Sequence, residues 1–257
     1  MLTSFVVTFS IVLLFISSES VFVYDIGARV VDFLSDFSLR VSSALKVPIK
    51  EIVAHNIKIS INDPYWTSKT LLYPIILGYP NDVSDVLLSL QNGIFYAYSG
   101  SAFINIMLSN NLNSFYTVNA DGSAGIYLGN LTFNPHNRPW YKKANVLKTS
   151  CWVGPFIANA QGNNPSMTLA QPIFESYVNK TAKNNNTVIG VLAANIYLTS
   201  ISTFLKNAYS NTDRSIFIVD QASGYLIATT LDVPLIQDDG QVFHNKDRGD
   251  DLIYEMV

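Results

Sequence analysis

The sequence predicts an α+β protein in which one long helix precedes an antiparallel sheet. Three observations carry that expectation. Apolar residues recur at steps of three and four through Ile26, Val30, Phe33, Phe37, Val41, Leu45, Ile49 and Ile52, the stripe of a helix buried along one side. Beyond Gln91-Asn92-Gly93 the period shortens to that of strands, and turns rich in Gly, Asn, Asp and Ser separate the later apolar runs. Of the 257 residues 49% are apolar and only 14% charged, which suits one large or two small folded domains and rules out disorder as the main state.

Taken in order, residues 1–20 carry no charge between Met1 and Ser18, and their core from Phe5 to Ile16 is hydrophobic all round. They are expected to form a transmembrane anchor or signal segment. The length approaches the roughly 20 apolar residues of a spanning helix, whereas Ser18 and Ser20 offer small residues for cleavage and no basic residue precedes Arg29. The long helix occupies residues 21–62 and should extend about 50 Å at about 1.5 Å per residue. Pro48 lies inside its pattern and predicts a kink or a break; Asp63-Pro64 ends it. A second helix is expected around Asp82 to Leu90, after Pro74 and Pro80.

The strand region begins with Ile94 to Tyr98 and Phe103 to Leu108. Tyr116 to Asn119 then runs into the turn Ala120-Asp121-Gly122-Ser123, and Met167 to Phe174 and Val188 to Leu198 read as further strands. The polar stretch Asn179 to Thr187 divides the last two as a solvated hairpin loop. A short helix over Thr199 to Ala208 precedes a hairpin of Ser215 to Asp220 and Tyr225 to Ala228, where a new unit starts. Too little chain remains for a second core as large as the first.

Composition removes several functions. Sixteen Lys and Arg against nineteen Asp and Glu give a net charge of −3 with no basic run, so nucleic acid is not an expected partner. Cys151 alone excludes an internal disulfide and a cysteine-based zinc cluster, and His55, His136 and His244 are too dispersed to suggest a metal site. Phosphate loops, nucleophile elbows and zinc-protease helices are missing from the sequence, so neither a cofactor nor an enzymatic activity is expected. Cys151 reads as a buried inert thiol, His136 as a solvated loop histidine, and Asp82 with Asp85 as a solvated acidic pair, like Asp238-Asp239 and Asp250-Asp251. Asn130, Asn179 and Asn185 each begin a glycosylation sequon, which suits a chain facing the cell exterior.

The densest group of chemically useful side chains is Phe133-Asn134-Pro135-His136-Asn137-Arg138-Pro139-Trp140-Tyr141-Lys142-Lys143-Ala144. Pro139 suits the first turn of a helix, leaving Arg138 in the loop before it and Trp140 and Tyr141 at the helix start. A guanidinium beside an indole and a phenol offers a planar fork to a carboxylate between apolar walls. The same residues also fit a plain packing role, with Trp140 and Tyr141 in the core and Arg138 on neighbouring carbonyls.

This segment, with Trp152-Val153-Gly154-Pro155-Phe156, Met167-Thr168-Leu169-Ala170-Gln171-Pro172 and Gly190-Val191-Leu192-Ala193-Ala194-Asn195-Ile196, resembles the double Cache sensor domains of extracytoplasmic receptors. The resemblance implies a stalk helix over 21–62, a membrane-distal PAS-like ligand-binding domain over 63–208, and an incomplete membrane-proximal PAS-like unit over 209–257. It also implies a site. In amino-acid-binding members the Arg, Trp and Tyr of the first block hold the ligand carboxylate, and these match Arg138, Trp140 and Tyr141. The tyrosine five positions earlier is Phe133 here. The residues that hold the ammonium in those members fall on Phe156, Ala158 and Asn195, so two carboxylates are missing. At about 1.5–3 kcal/mol per charge-assisted hydrogen bond, the loss amounts to about 3–6 kcal/mol, or about two to four decades of affinity. An ordinary α-amino acid is therefore expected to bind poorly, and a small carboxylate or neutral polar metabolite better.

The function expected is extracellular sensing by a membrane receptor. The ligand would be held by Arg138, Trp140, Tyr141, Phe133, Phe156 and Asn195, and the long helix would pair with a second copy in a homodimer. The alternative is a non-catalytic extracellular interaction or channel-accessory module with a vestigial pocket.

Overall fold

The computed structural model describes residues 11–15, 20–53, 68–99, 103–109, 112–158, 164–178, 186–209, 215–220, 223–232 and 235. They form two compact units, the larger made of Ser38–Val153 and Thr168–Ile196, the smaller of Met1–Phe37, Gly154–Met167 and Tyr197–Val257.

The larger unit is built on an eight-stranded sheet. Its strands are β2 (Asp85–Leu90), β3 (Phe95–Ser99), β4 (Phe103–Ser109), β5 (Leu112–Val118), β6 (Ala124–Thr132), β7 (Cys151–Ala158), β8 (Asn164–Phe174) and β9 (Val188–Tyr197), in the order β6-β5-β4-β3-β2-β9-β8-β7. β2 is central, antiparallel to β3 on one side and to β9 on the other. Asp85 faces Ser99 and Asn195, Leu87 faces Ala97 and Ala193, and Ser89 faces Phe95 and Val191. Side chains alternate along a strand, so these nine share one face, and Val86, Leu88 and Leu90 point to the other.

The second helix expected over Asp82 to Leu90 is thus corrected to a strand. Both faces of β2 are covered, so its apolar residues run together without alternation, and such a run does not distinguish strand from helix by period. The helix lies earlier, where a π-helical turn over Ser68–Leu72 leads into α2 (Tyr73–Gly78), with Pro74 in its first turn. These elements pack toward the Val86 face. Tyr73 stacks on Tyr98 with ring centroids 5.5 Å apart and donates to the Ala120 carbonyl at 3.0 Å, while the Tyr98 hydroxyl donates to the Gly122 carbonyl at 2.5 Å. Lys69 Nζ lies 2.6 Å from Asp121 Oδ2. The expected β5–β6 turn is thereby tied to the sheet by two tyrosines.

The long helix α1 covers Ser20–Val53, in line with its stripe: Val30, Leu34, Phe37, Val41, Ala44 and Leu45 are buried. The expected interruption at Pro48 is corrected, because the helix runs through it; proline takes one donor from the ladder without ending it. Arg40 of α1 forms a two-pronged pair with Asp82, Nε to Oδ2 at 3.0 Å and Nη2 to Oδ1 at 3.2 Å. Asp82 is therefore an ion-paired residue rather than a free surface charge.

In the smaller unit, β1 (Ile11–Phe15), β10 (Ile216–Asp220) and β11 (Leu226–Thr229) form a three-stranded sheet in the order β1-β10-β11. The helix α4 (Leu198–Tyr209) joins it through the Thr229 N–H, which donates to Ser202 Oγ at 3.2 Å, and Phe204 stacks on Phe33. Within the apolar N-terminal segment, Ile11–Phe15 pair antiparallel with β10 from Ile11↔Asp220 to Phe15↔Ile216. β-branched and aromatic residues favour that conformation. Among the described residues no helix is long and apolar enough to cross a membrane. The sequons at Asn179 and Asn185 and the acidic pairs Asp238-Asp239 and Asp250-Asp251 lie outside the described residues.

Two turn glycines make the packing testable. Gly122 has φ +82°, and a Cβ there would lie 2.3 Å from Tyr73 Cδ1; Gly93, with φ +89°, has open space around it. Gly93→Ala should cost only the left-handed backbone term, about 1–2 kcal/mol. Gly122→Ala should add displacement of the Tyr73 ring and lower the melting temperature clearly further in calorimetry. Equal losses from the two substitutions would show that Tyr73 is not packed as described.

Candidate functional site

The segment after β6 is shaped by two local devices. The Asn134 side chain accepts from the His136 N–H at 2.9 Å, closing a 3-10 turn over Pro135–Asn137, and Pro139 then starts α3 (Pro139–Leu147) with its φ already set for a helix. Helical spacing buries Trp140, Tyr141 and Ala144 together. Trp140 meets Tyr141 edge-on at 5.9 Å, and the His136 ring stacks on Tyr141 at 4.4 Å. His136 Nε2 lies 2.8 Å from the Leu90 carbonyl and donates to it, which ties the turn to the end of β2. The expectation of a solvated loop histidine is corrected by these contacts. Burial raises the pKa of Tyr141, so its hydroxyl stays protonated and able to donate.

Arg138 stands at the N-cap position of α3, half-buried. Its guanidinium carbon lies 4.6 Å from the centroid of the Phe133 ring, and that ring packs at 5.2 Å against Phe95 of β3. Burial holds the guanidinium pKa below its ordinary value, and among the described residues no carboxylate pairs with it. A charged fork on an aromatic platform, with no carboxylate paired to it among the described residues, is suited to an anion from outside.

Phe95 also locates this cluster on the sheet, because it shares the face of Asp85, Leu87 and Ser89. About 13 Å of strand, at about 3.3 Å per residue, separates Phe95 from Ser99. At the Ser99 end a polar row crosses neighbouring strands. Thr168 Oγ1 of β8 donates to Asn195 Oδ1 at 2.6 Å, and Asn195 Nδ2 of β9 donates to Asp85 Oδ2 at 3.3 Å. The Ser84 hydroxyl lies 3.0 Å from the same oxygen, and Ser99 of β3 is a further donor to the carboxylate. Burial pushes the Asp85 pKa up, and these three neutral donors offset part of the shift. No Lys, Arg or His pairs with Asp85 among the described residues. At the Phe95 end, Ser89 is fully buried, and its hydroxyl has no hydrogen-bond partner among the described residues.

The structure therefore brings Arg138 onto the Phe133 ring and groups Trp140, Tyr141 and His136 separately, with Trp140 and Tyr141 buried at the start of α3. Asn195 sits in the polar row on the same sheet face, with both ends of its amide engaged by protein. Phe156 lies in Gly154–Met167, part of the smaller unit, and the Ala158 side chain is outside the described residues. Sequence reasoning missed Asp85 as a site residue, together with Ser89, Ser99 and Thr168. The available signal was a carboxylate and two hydroxyls set into apolar strands at spacing two and four, but it becomes readable only once Asp85–Leu90 is a strand. Cys151 is buried as expected, and burial raises its thiol pKa against a smaller opposing effect of Lys143.

The larger unit thus combines an antiparallel sheet with a cationic and aromatic group at the start of α3. Residues 87–203, a little under half of the chain, match the family model described as methyl-accepting chemotaxis protein-like, first PDC sensor domain. The fold is also that of solved chemoreceptor sensory domains. Tlp3 of Campylobacter jejuni, solved with isoleucine bound, matches with a TM-score of 0.52 at 16% identity, over 80% of this chain and 68% of its own. The ligand-binding domain of Pseudomonas fluorescens CtaA, in complex with L-serine, gives 0.53 at 18% over 88% and 76%. That of Pseudomonas aeruginosa PctC, in complex with GABA, gives 0.51 at 14% over 80% and 73%. No curated protein sequence matches the chain. The expected resemblance to double Cache sensors and the α+β fold class are borne out.

Two stability measurements test the site. Ser89→Ala removes a buried hydroxyl that lacks a partner, so it should stabilise the free protein by about 1 kcal/mol in denaturant unfolding, whereas loss of a made hydrogen bond would destabilise it by a similar amount. Asp85 has a folded-state pKa above its unfolded value, so the folded state binds its proton more tightly, and its ionisation destabilises the fold at neutral pH. Asp85→Asn should melt higher than the parent at pH 7, and that advantage should shrink as pH falls through the raised pKa and vanish below the unfolded carboxyl value. A pH-independent difference would sink this reading.

Proposed function

We propose that the chain is the extracellular sensing portion of a membrane receptor and that its larger unit binds a small ligand bearing a carboxylate on the Phe95–Ser99 face of the sheet. One observation carries the proposal: Arg138 is half-buried on the Phe133 ring with no carboxylate partner among the described residues. An ionised group kept in that condition costs stability unless something pairs with it. Trp140 and Tyr141 support the fork from the start of α3, and Phe133 forms its platform. The amino acids bound by Tlp3, CtaA and PctC all carry a carboxylate, which supports the same ligand class here. We further propose that the N-terminal apolar segment serves membrane attachment or export, that Asn130, Asn179 and Asn185 face the exterior, and that α1 carries the signal and pairs with a second copy. Catalysis forms no part of this reading.

A second reading has one observation in its favour. Ile126, Tyr127 and Leu128 are exposed on β6, the edge of the large sheet, as an interaction module would require. Thermal unfolding of the full chain against a panel of carboxylates, amines, amino acids and purines separates the two. A ligand at 100 times its dissociation constant adds about 2.7 kcal/mol to the folded state, a readily measured rise in melting temperature. The expected outcome is a rise with carboxylates that disappears in Arg138→Ala. No rise with any compound, in a protein that melts cooperatively, would select the interaction module.

A further inference from the structure

We propose that His136 is the positioning residue of the sensor site, holding the Tyr141 hydroxyl where it bonds the carboxylate of the ligand. The inference rests on the sensor reading above and deepens it, since it assigns a residue that acts through Tyr141 without touching the ligand.

Three restraints meet on His136. Its backbone N–H donates to Asn134 Oδ1 at 2.9 Å, which fixes the chain in the 3-10 turn. Its Nε2 donates to the Leu90 carbonyl at 2.8 Å, and its ring lies on that of Tyr141 with centroids 4.4 Å apart and planes 28° from parallel. The bond to Leu90 does not rescue an orphaned carbonyl. That oxygen already accepts from the Gly93 N–H at 3.1 Å, within the turn that joins β2 to β3, and a carbonyl has a second lone pair to offer. What the bond adds is direction. An imidazole tethered at one edge cannot turn freely, so the face that it presents to Tyr141 is fixed; packing alone would need only the ring.

Tyr141 is a side chain for which direction matters. The residue is only 5% exposed, and Trp140 meets its ring edge-on. Burial is the one effect that moves its pKa, with no hydrogen bond among the causes, so among the described residues the protonated hydroxyl is uncommitted. A buried donor in that condition costs stability until something accepts from it. The same turn also holds the other half of the site. Arg138 rests on Phe133 at 4.6 Å, and Phe133 packs at 5.2 Å against Phe95, the neighbour of Ile94, whose carbonyl accepts from the Leu90 N–H at 2.8 Å. Guanidinium and hydroxyl are thus referenced to one hairpin end, through Phe133 on Phe95 and through His136 on Leu90. A carboxylate uses both donors at once only if their relative placement is fixed, and His136 fixes one side of it.

The test is a double-mutant cycle on the full chain, read by titration calorimetry with L-serine, 4-aminobutyrate, butyrate and succinate, the tightest binder serving as the probe. Tyr141→Phe should weaken binding by about ten- to a hundredfold, the effect of one charge-assisted hydrogen bond. His136→Ala should weaken it by about fivefold or more in the parent, and by less than about twofold in the Tyr141→Phe background, where no hydroxyl is left to position. His136→Phe keeps a ring against Tyr141 and loses the bond to Leu90. It should show the same dependence on the Tyr141 hydroxyl, and it carries the cycle should the alanine variant fail to fold. A role in packing alone would lower the melting temperature and leave the affinity of the folded protein unchanged, and that result would overturn the proposal. So would an unchanged affinity in Tyr141→Phe, or equal losses from His136→Ala in the two backgrounds. Each of these leaves the sensor reading standing, which Arg138→Ala tests separately. No binding of any of these compounds by the parent would overturn both.

Discussion

The register of β2 between β3 and β9 is the constraint on which the rest of the molecule depends. It sets Asp85 opposite Ser99 and Asn195 and Ser89 opposite Phe95 and Val191. A slip of one residue would turn Asp85 and Ser89 into the layer formed by Val86, Leu88, Tyr96 and Tyr98, and would expose the apolar set to the face that carries the polar row. That layer has no room for a carboxylate: Val86, Leu88 and Tyr96 are fully buried, and the Tyr98 hydroxyl is already committed to the Gly122 carbonyl. Hydrophobic burial on one side of the strand thus holds charged and hydroxylic groups in place on the other.

Both faces also explain why a charged group can persist in the core of this sheet. Ionised Asp85 opposes folding, and among the described residues no carboxylate pairs with the desolvated guanidinium of Arg138 to offset its burial. Neither is an economical way to stabilise a domain, since a buried charge with neutral neighbours is worse than an apolar residue of the same size. Perturbed groups of this kind gather at binding sites because the ligand supplies what the fold withholds. The hydroxyl of Ser89 follows the same logic on a smaller scale.

The sequence made much of the fold legible. The stripe from Ile26 to Ile52, the strands flanking Ala120 to Ser123, the helix opened by Pro139 and the hairpin after Ser215 all rest on local periodicity and turn chemistry, which the structure preserves. What escaped did so for a common reason. β2 is covered on both faces, so its apolar run does not alternate, and a nearby Pro-Asn-Asp sequence reads as a helix start as readily as a turn. With β2 misassigned, Asp85 could not be seen across from Asn195, because cross-strand proximity over 110 positions is set by pairing and not by spacing. Arg138, Trp140 and Tyr141 were found because they lie within four consecutive residues and need no long-range pairing to come together.

The same strand that carries the polar row is joined to the long helix. Asp82 lies three residues before Asp85, and both its oxygens are held by the Arg40 fork from α1; between them the Ser84 hydroxyl contacts the Asp85 carboxylate. A change in charge or hydrogen bonding at Asp85 therefore acts on a segment whose next polar anchor is on α1, through four residues of backbone and one planar ion pair. Coupling of this kind needs two arrangements of the Asp82–Asp85 segment that a ligand binds unequally, because equal affinity for both would shift nothing. The bidentate pair favours discrete states over gradual bending, since a planar fork keeps both hydrogen bonds only in a narrow range of orientations.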